Sequence, residues 1–309
     1  MPTVKNFCGK PQDILMKILS KPKGNAEEYG KWAVNAYVGC PHGCEYCYLK
    51  SGVWENNLGG NEPRLKKGII DRKHALHVAM TEILANREQI IEDGGVFFSF
   101  TSDPLLDGES FFLTTDIAKE CSDYDIPVTI LTKIGKNRYL RDERKIMLWF
   151  DEIDKFSMGW TLTGYDELEP HASSNDERIE MMGAFRHWLH PQRAKVWASI
   201  EPVISFDRSL EMIKKALDAG CEHFKIGLLT KNTKVCRGPL KIGEKEYPAY
   251  DKERCKTFIR DVMHLVQCSN GDVTVYWKQS VRDFLGEKEF AAATVGYMYM
   301  VGKDWHFWK

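Results

Sequence analysis

A chain of 309 residues that is 43% hydrophobic, 12% aromatic and 28% charged can bury a substantial core, which excludes fibrous and disordered classes. Its 43 basic residues against 44 acidic ones leave a formal charge of -1, which excludes the uniform positive field of a non-specific nucleic-acid binder. The start, MPTVKNFCGKPQDILMKIL, lacks a signal-type apolar run, and no later stretch approaches the roughly 20 apolar residues of a membrane span. A cytoplasmic protein without membrane contact is expected.

Residues 1–30 read as an N-terminal extension. The first strand-like run, AVNAYVG (33–39), leads into the loop VGCPHGCEYCYLK (38–50). Asp71 to Ile91 then places Ala75, Val78, Ala79, Ile83 and Leu84 on one helical stripe. Further strand-like runs follow: GVFFSF (95–100), PVTILT (127–132), KFSMGWTL (155–162), KVWASI (195–200) and HFKIGLL (223–229). Asp207 to Gly220 reads as a helix with an acidic start and a glycine stop. Residues 230–250 form a polar loop with Gly238-Pro239 and Gly243, followed by a helical stretch from Asp251 to Gln267 and a seventh run, DVTVYW (272–277).

Most of the gaps between runs have the length of a strand, a helix and two loops, so the series predicts a parallel sheet with right-handed crossovers. Six such units are fewer than a closed eight-unit barrel needs. The expected fold class is α/β, a partial (β/α)6 barrel or an open doubly wound sheet. The core is placed at 31–230, and residues 231–309 form a C-terminal extension expected to complete the barrel and cover its mouth. Ligands of parallel α/β folds gather at the carboxyl ends of the strands.

The nine cysteines are odd in number, and three crowd at positions 40, 44 and 47, which points to metal more than to a disulfide framework. A structural zinc site closes a tetrahedron with four ligands, usually from two CxxC-like pairs. No second pair exists at Cys121, Cys221, Cys236, Cys255 or Cys268, and His42 is the nearby fourth donor for that alternative. Thiolates bind a 4Fe-4S cluster ordinarily one per iron, so a three-thiolate loop leaves one iron open. Gly39 and Gly43 permit a tight turn about the cluster and Pro41 stiffens the approach.

C-x3-C-x-aromatic-C after a first strand, followed by a βα series, resembles the radical S-adenosylmethionine (radical SAM) enzymes over most of residues 33–230. The resemblance implies a partial (β/α)6 barrel of the radical SAM type, with Cys40, Cys44 and Cys47 holding a 4Fe-4S cluster. It also implies S-adenosyl-L-methionine on the open iron, Tyr46 beside its adenine, and an electron donor such as flavodoxin or ferredoxin. In that family the reduced cluster splits the cofactor into methionine and a 5′-deoxyadenosyl radical that abstracts a substrate hydrogen.

NAYVGCPHGCEYCY, SFTSDPLLDGE, ILTKIGKNRYLRD and ELEPHASSNDERI are together similar to the spore photoproduct lyase-like branch, which contains DNA-repair lyases. SIEPVIS and VYWKQS resemble a phage-associated family of unknown function that shares the three-cysteine loop. Carried over by residue, the likeness puts Ser102 and Asp103 at the methionyl end of the cofactor and Lys133 at its carboxylate. Ser157 or Thr161 is expected at the ribose or carboxylate, and Ser199 and Glu201 at the end of the fifth strand against cofactor or substrate. Spore photoproduct lyases proper carry a hydrogen-donor cysteine on the second strand, where VFFSFTSDP has Phe97, Phe98 and Phe100 and no thiol. Cys236, after the sixth strand, is the candidate substitute; Cys121, Cys221, Cys255 and Cys268 read as packing.

The mouth of a radical enzyme must be dry, and Trp54, Trp160, Trp197 and Trp277 are candidates to line it. The basic stretch Lys133 to Arg144, with Lys136, Arg138 and Arg141, suits phosphates. Nucleic acid is therefore the leading substrate class. A peptide, protein or small metabolite is the alternative, and a non-catalytic iron-sulfur or zinc protein is the alternative of another class.

Overall fold

The computed structural model describes residues 17–50, 58, 60–106, 108–135, 149–190, 193–231, 234–269 and 273–296. Eight runs form one sheet: β1 (Leu19–Ser20), β2 (Ala33–Val34), β3 (Val96–Phe98), β4 (Val128–Thr132), β5 (Phe156–Thr161), β6 (Ala194–Val203), β7 (His223–Leu228) and β8 (Thr274–Trp277). They lie side by side in chain order; β1 is antiparallel to β2 and every later pair is parallel. Among the described residues β1 and β8 are the open edges, so the α/β sheet is a partial barrel, as the spacing of the runs predicts.

Parallel neighbours require crossovers, and helices supply all of them but the β4–β5 connection, part of which lies outside the described residues. They are α1 (Arg72–Leu84), α2 (Arg87–Glu92), α3 (Gly108–Asp123), α4 (Asn175–Trp188), α5 (Phe206–Asp218) and α6 (Lys252–Cys268), followed by α7 (Gln279–Leu285) and α8 (Glu287–Thr294). Their starts are set by side-chain caps that satisfy orphan amides: Asp71 for α1, Ser205 for α5, Asp251 for α6, and a reciprocal Ser174–Glu177 box for α4.

Strand parity divides the sheet into two unlike faces. Val128, Ile130, Phe156, Met158, Trp160, Val196, Ala198, Ile200, Phe224, Ile226, Val275 and Trp277 join the main core under the helices. Their alternates, including Thr129, Ser157, Thr161, Ser199, Glu201 and Lys225, turn to the other face and give the barrel a polar interior. Gly159 serves this face by being small: a Cβ there would stand 2.1 Å from the Trp197 ring, so the indole lies flat on β5.

Parity also corrects two expectations for the mouth. Trp160 packs edge-on to Phe185, and Trp277 packs edge-on to Phe258; both are buried under helices. Trp197 alone of the three takes the interior face, while Trp54, Lys136, Arg138, Arg141 and Arg144 lie outside the described residues.

Boundaries shift for local reasons. The run 33–39 splits: Ala33–Val34 joins the sheet, whereas Tyr37–Val38 pairs antiparallel with Arg64–Leu65 at the root of the cysteine loop. The helix expected over 71–91 breaks near Asn86, whose side chain donates to the Glu82 carbonyl at 2.8 Å and so competes with the helical ladder. The polar loop at 230–250 contains two small hairpins, one joining Leu240–Ile242 to Lys245–Tyr247. No helix among the described residues is long and apolar enough to cross a membrane.

Candidate active site

The cysteine loop leaves the sheet after β2 and is fastened by backbone bonds. Gly39 and Cys40 donate to the carbonyls of Leu58 and Gly60 at 3.0 and 2.9 Å, and Glu45 donates to that of Leu168 at 2.9 Å. Gly39 has φ +84°, and a Cβ there would stand 2.4 Å from the Glu62 carbonyl oxygen, so only glycine fits this turn. Cys44 is buried, Cys40 and Cys47 are half-buried, and all three are free thiols. Burial, then the charge of Asp103, pushes the Cys40 thiol up to about 12, and burial pushes Cys44 up to about 11.

Thiols this reluctant to ionise alone would do so against a bound cation such as iron, whose charge would supply the missing counter-ion. Among the described residues no three His, Cys, Asp or Glu side chains converge as they would on one ion. His42, the fourth ligand of the zinc alternative, instead points its Nε2 at Asp103 Oδ2, 2.8 Å away. Three soft donors on a glycine-turned loop fit an iron-sulfur cluster better than a zinc tetrahedron.

Beneath the loop sits Asp103. Its Oδ1 accepts from the Thr132 hydroxyl at 2.7 Å and the Leu105 amide at 3.0 Å, and its Oδ2 from the Lys133 amide at 2.7 Å as well as from His42. Burial raises this carboxyl, but the hydrogen bonds and charge of His42 and the two amides outweigh it and hold the group below the ordinary range. A carboxylate has about four acceptor positions, and all are taken here. Asp103 therefore ties the loop to the ends of β3 and β4, a role different from the ligand contact expected for it. Ser102 does the same for the glycine turn, donating to the Gly39 carbonyl at 2.6 Å.

A second buried assembly fixes Tyr46. Glu169, fully buried, pairs with Arg178 Nη2 at 2.6 Å and with Lys133 Nζ at 3.4 Å, and accepts from the Tyr46 hydroxyl. Burial raises the Glu169 carboxyl, but the charges of Arg178 and Lys133 lower it more. Arg178 Nη1 reaches the Thr161 carbonyl at 2.8 Å, and the Lys133 ammonium lies 5.4 Å from the Tyr46 ring centroid. Sequence reasoning missed Glu169 and Arg178 as site residues. Both lie in ELEPHASSNDERI, where the S-x-x-E start of a helix was the available signal.

A third assembly occupies the polar interior. Ser199 and Glu201 meet the hydroxyl of Tyr29, 2.8 Å from Ser199 Oγ, and Lys278 Nζ lies 2.8 Å from both Glu201 oxygens. Lys225 donates to the Glu28 carbonyl and lies 4.5 Å from the Tyr29 ring centroid. Tyr29, Lys225 and Lys278 were not anticipated. A lysine in an otherwise apolar strand, as in HFKIGLL and VYWKQS, is the signal that marks such positions.

Thr161 ends β5 in register with Ser199, at the mouth. Ser157 is placed otherwise: as the second residue of β5, paired with Thr129 and Lys195 and fully buried, it sits toward the amino ends, away from the mouth. Cys236 is half-buried and packs on a small apolar cluster of Tyr165, Leu168, Ile204, Leu240 and Ile242, which Tyr46 also touches. Burial pushes its thiol up.

No family model matches the chain. An uncharacterized protein of Methanocaldococcus jannaschii is 26% identical over 200 residues, covering 62% of this chain and 68% of that protein. Among solved structures, Streptococcus suis SuiB bound to S-adenosylmethionine superposes with a TM-score of 0.50 at 14% identity, over 84% of this chain and 53% of SuiB. The shared property is the fold. This chain spans about half of the SuiB chain. SuiB bound to precursor peptide SuiA gives a TM-score of 0.48 at 13% identity.

Proposed function

We propose that the protein is a radical SAM enzyme of the spore photoproduct lyase-like branch, acting on nucleic acid by repair or modification. One observation carries the chemistry: three thiols without a fourth protein ligand among the described residues stand at the carboxyl edge of an open parallel sheet, on a fold shared with a structure solved with S-adenosylmethionine. Cys40, Cys44 and Cys47 hold the 4Fe-4S cluster, and S-adenosyl-L-methionine takes the remaining iron. When bound, the pair supplies a 5′-deoxyadenosyl radical.

The chain's own residues position and shield. The Asp103–His42 contact holds the loop over the ends of β3 and β4. The Glu169–Arg178 pair fixes Tyr46 for the adenine and keeps Lys133 at the mouth, where its ammonium suits a carboxylate. Thr161 faces the ribose, while Ser199, level with it, and Glu201, two residues further along β6, face the substrate. Electrons come from a flavodoxin- or ferredoxin-like donor. Cys236 is the candidate hydrogen donor, since Phe97, Phe98 and Phe100 occupy the strand where the repair lyases carry a thiol. Aromatic rings beside charged groups in the interior support a nucleic-acid substrate. Residues 31–230 form the catalytic core, 1–30 is an N-terminal extension, and the C-terminal extension 231–309 completes the barrel and covers its mouth.

Anaerobic reconstitution with iron and sulfide tests this. About four irons per chain, a reduced-cluster EPR signal and 5′-deoxyadenosine formed under reductant are expected, with turnover stimulated by DNA or RNA more than by peptide. Failure to assemble the cluster sinks the enzyme reading; stimulation by peptide alone sinks the nucleic-acid part.

A further inference from the structure

SIEPVIS and VYWKQS, which the cofactor chemistry does not use, meet inside the barrel through Glu201 and Lys278. Both Glu201 oxygens accept from Lys278 Nζ at 2.8 Å, and Oε2 also accepts from the Tyr29 hydroxyl. Of about four acceptor positions on a carboxylate, three are taken, and the one left is on Oε1. The side chain of Lys278 is 2% exposed and that of Glu201 19%, so the ammonium is sealed while the glutamate keeps some access to solvent. Gly227 lies against both partners: a Cβ there would stand 2.9 Å from Oε1 and 2.9 Å from Lys278 Cδ.

The surroundings are flat and aromatic. The Tyr29 ring lies 5.4 Å from Phe97, 6.1 Å from Phe100 and 6.3 Å from Trp197, and Phe97 stacks on Phe100 at 4.7 Å. Phe100 is half-buried just beyond the carboxyl end of β3, so part of its ring remains open to a ligand. A fixed single acceptor beside an aromatic wall recognises a planar ring carrying an N–H donor.

We propose that Glu201, held in place by Lys278 and Tyr29, is a substrate-facing acceptor for the exocyclic amino group of a nucleobase stacked against Phe100. This rests on the nucleic-acid reading and adds to it a preference for amino-bearing bases. Cytosine offers its N4 amino group to a carboxylate. Thymine offers only a ring N–H between two carbonyls, which the carboxylate repels.

The test is direct binding, by fluorescence anisotropy, of single-stranded oligodeoxycytidine and oligothymidine of equal length to the full chain. The unsubstituted protein is expected to favour oligodeoxycytidine about tenfold. Glu201→Gln should reduce that preference to about twofold or less, and Phe100→Ala should weaken both ligands alike. Gly227→Ala, which crowds Oε1 and the Lys278 stem and so displaces the carboxylate, provides a second route to the same loss if Glu201→Gln does not fold by circular dichroism. Equal binding of the two oligomers, or a preference unchanged in both the Glu201 and Gly227 variants, overturns the Glu201 assignment and leaves the nucleic-acid reading standing. Binding of neither oligomer overturns both.

Discussion

Glu201 and Lys278, 77 residues apart in the chain, form an ion pair in which one ammonium lies 2.8 Å from both carboxylate oxygens. The contact joins the long strand β6 to the residue directly after β8, so it fastens the last strand of the sheet to its centre. Lys278→Met leaves the carboxylate without its main partner. The expected loss is about 2 kcal/mol, less than for a fully buried pair because Glu201 keeps some solvent. Urea denaturation reads it, and a loss below about 0.5 kcal/mol would mean that water replaces the lysine without penalty.

Lys225 is fully buried beside this pair. Burial, then the charge of Lys278, holds its ammonium well below the ordinary lysine range, against the opposing pull of Glu28 and Glu201. Between its folded value and the ordinary one, the unfolded chain carries a proton that the native protein has shed. Stability therefore rises with pH through that window, by at most about 1.4 kcal/mol per pH unit. Lys225→Met should remove this slope in thermal unfolding followed between about pH 7 and 10. Parallel curves for the two proteins would show that Lys225 stays charged.

At the cysteine loop, Asp103→Asn replaces an acceptor-only group by one whose amide must face a donor. With the amide at Oδ2 the Lys133 amide and His42 face a donor, and with it at Oδ1 the Leu105 amide does, so in either orientation the brace loses a bond. Iron held by the reconstituted protein should pass to a chelator about tenfold faster, measured by absorbance of the chelate. Release at the unsubstituted rate would show that backbone bonds alone hold the loop.

Glu169→Gln leaves the fully buried Arg178 with an uncompensated charge. A cost of about 3 to 5 kcal/mol is expected. Replacing both partners, as Glu169→Leu with Arg178→Met, should recover more than half of it, because the cost lies in the orphaned charge. Additive losses in the double variant, read by chemical denaturation, contradict this account.

Gly159→Ala puts a methyl group 2.1 Å from the Trp197 ring, which must tilt off β5. About 1 to 3 kcal/mol of stability should be lost, together with a shift in tryptophan emission. Unchanged emission would place the indole elsewhere.

The sheet was legible because each strand is an apolar or β-branched run bounded by turn residues, and the recurrence of runs implies crossovers. Six runs landed on six strands of the main sheet, and DVTVYW on its edge. The boundaries that moved did so where a side chain competes with the backbone, as Asn86 does with its helix, or where the chain must leave the sheet, as at Tyr37. At the candidate site, the crowding of the three cysteines is visible from spacing alone. Glu169 and Arg178 were not, because a charged pair buried on a helix start looks in sequence like any solvated turn. Ser157 was misplaced because a strand run does not show which of its residues stands at the carboxyl end.

By itself the sequence determined the βα order, the spacing of the three-thiol loop, and the absence of a thiol among Phe97, Phe98 and Phe100. These depend on residue type and short spacing, which the linear chain carries completely. The tertiary structure alone decided that Asp103 spends its carboxylate on the loop, that Tyr29 enters the barrel from the N-terminal segment, and that Glu201 meets Lys278. Those contacts join residues tens to hundreds of positions apart. Their partners are chosen by strand parity and sheet order, which exist only once the sheet has formed.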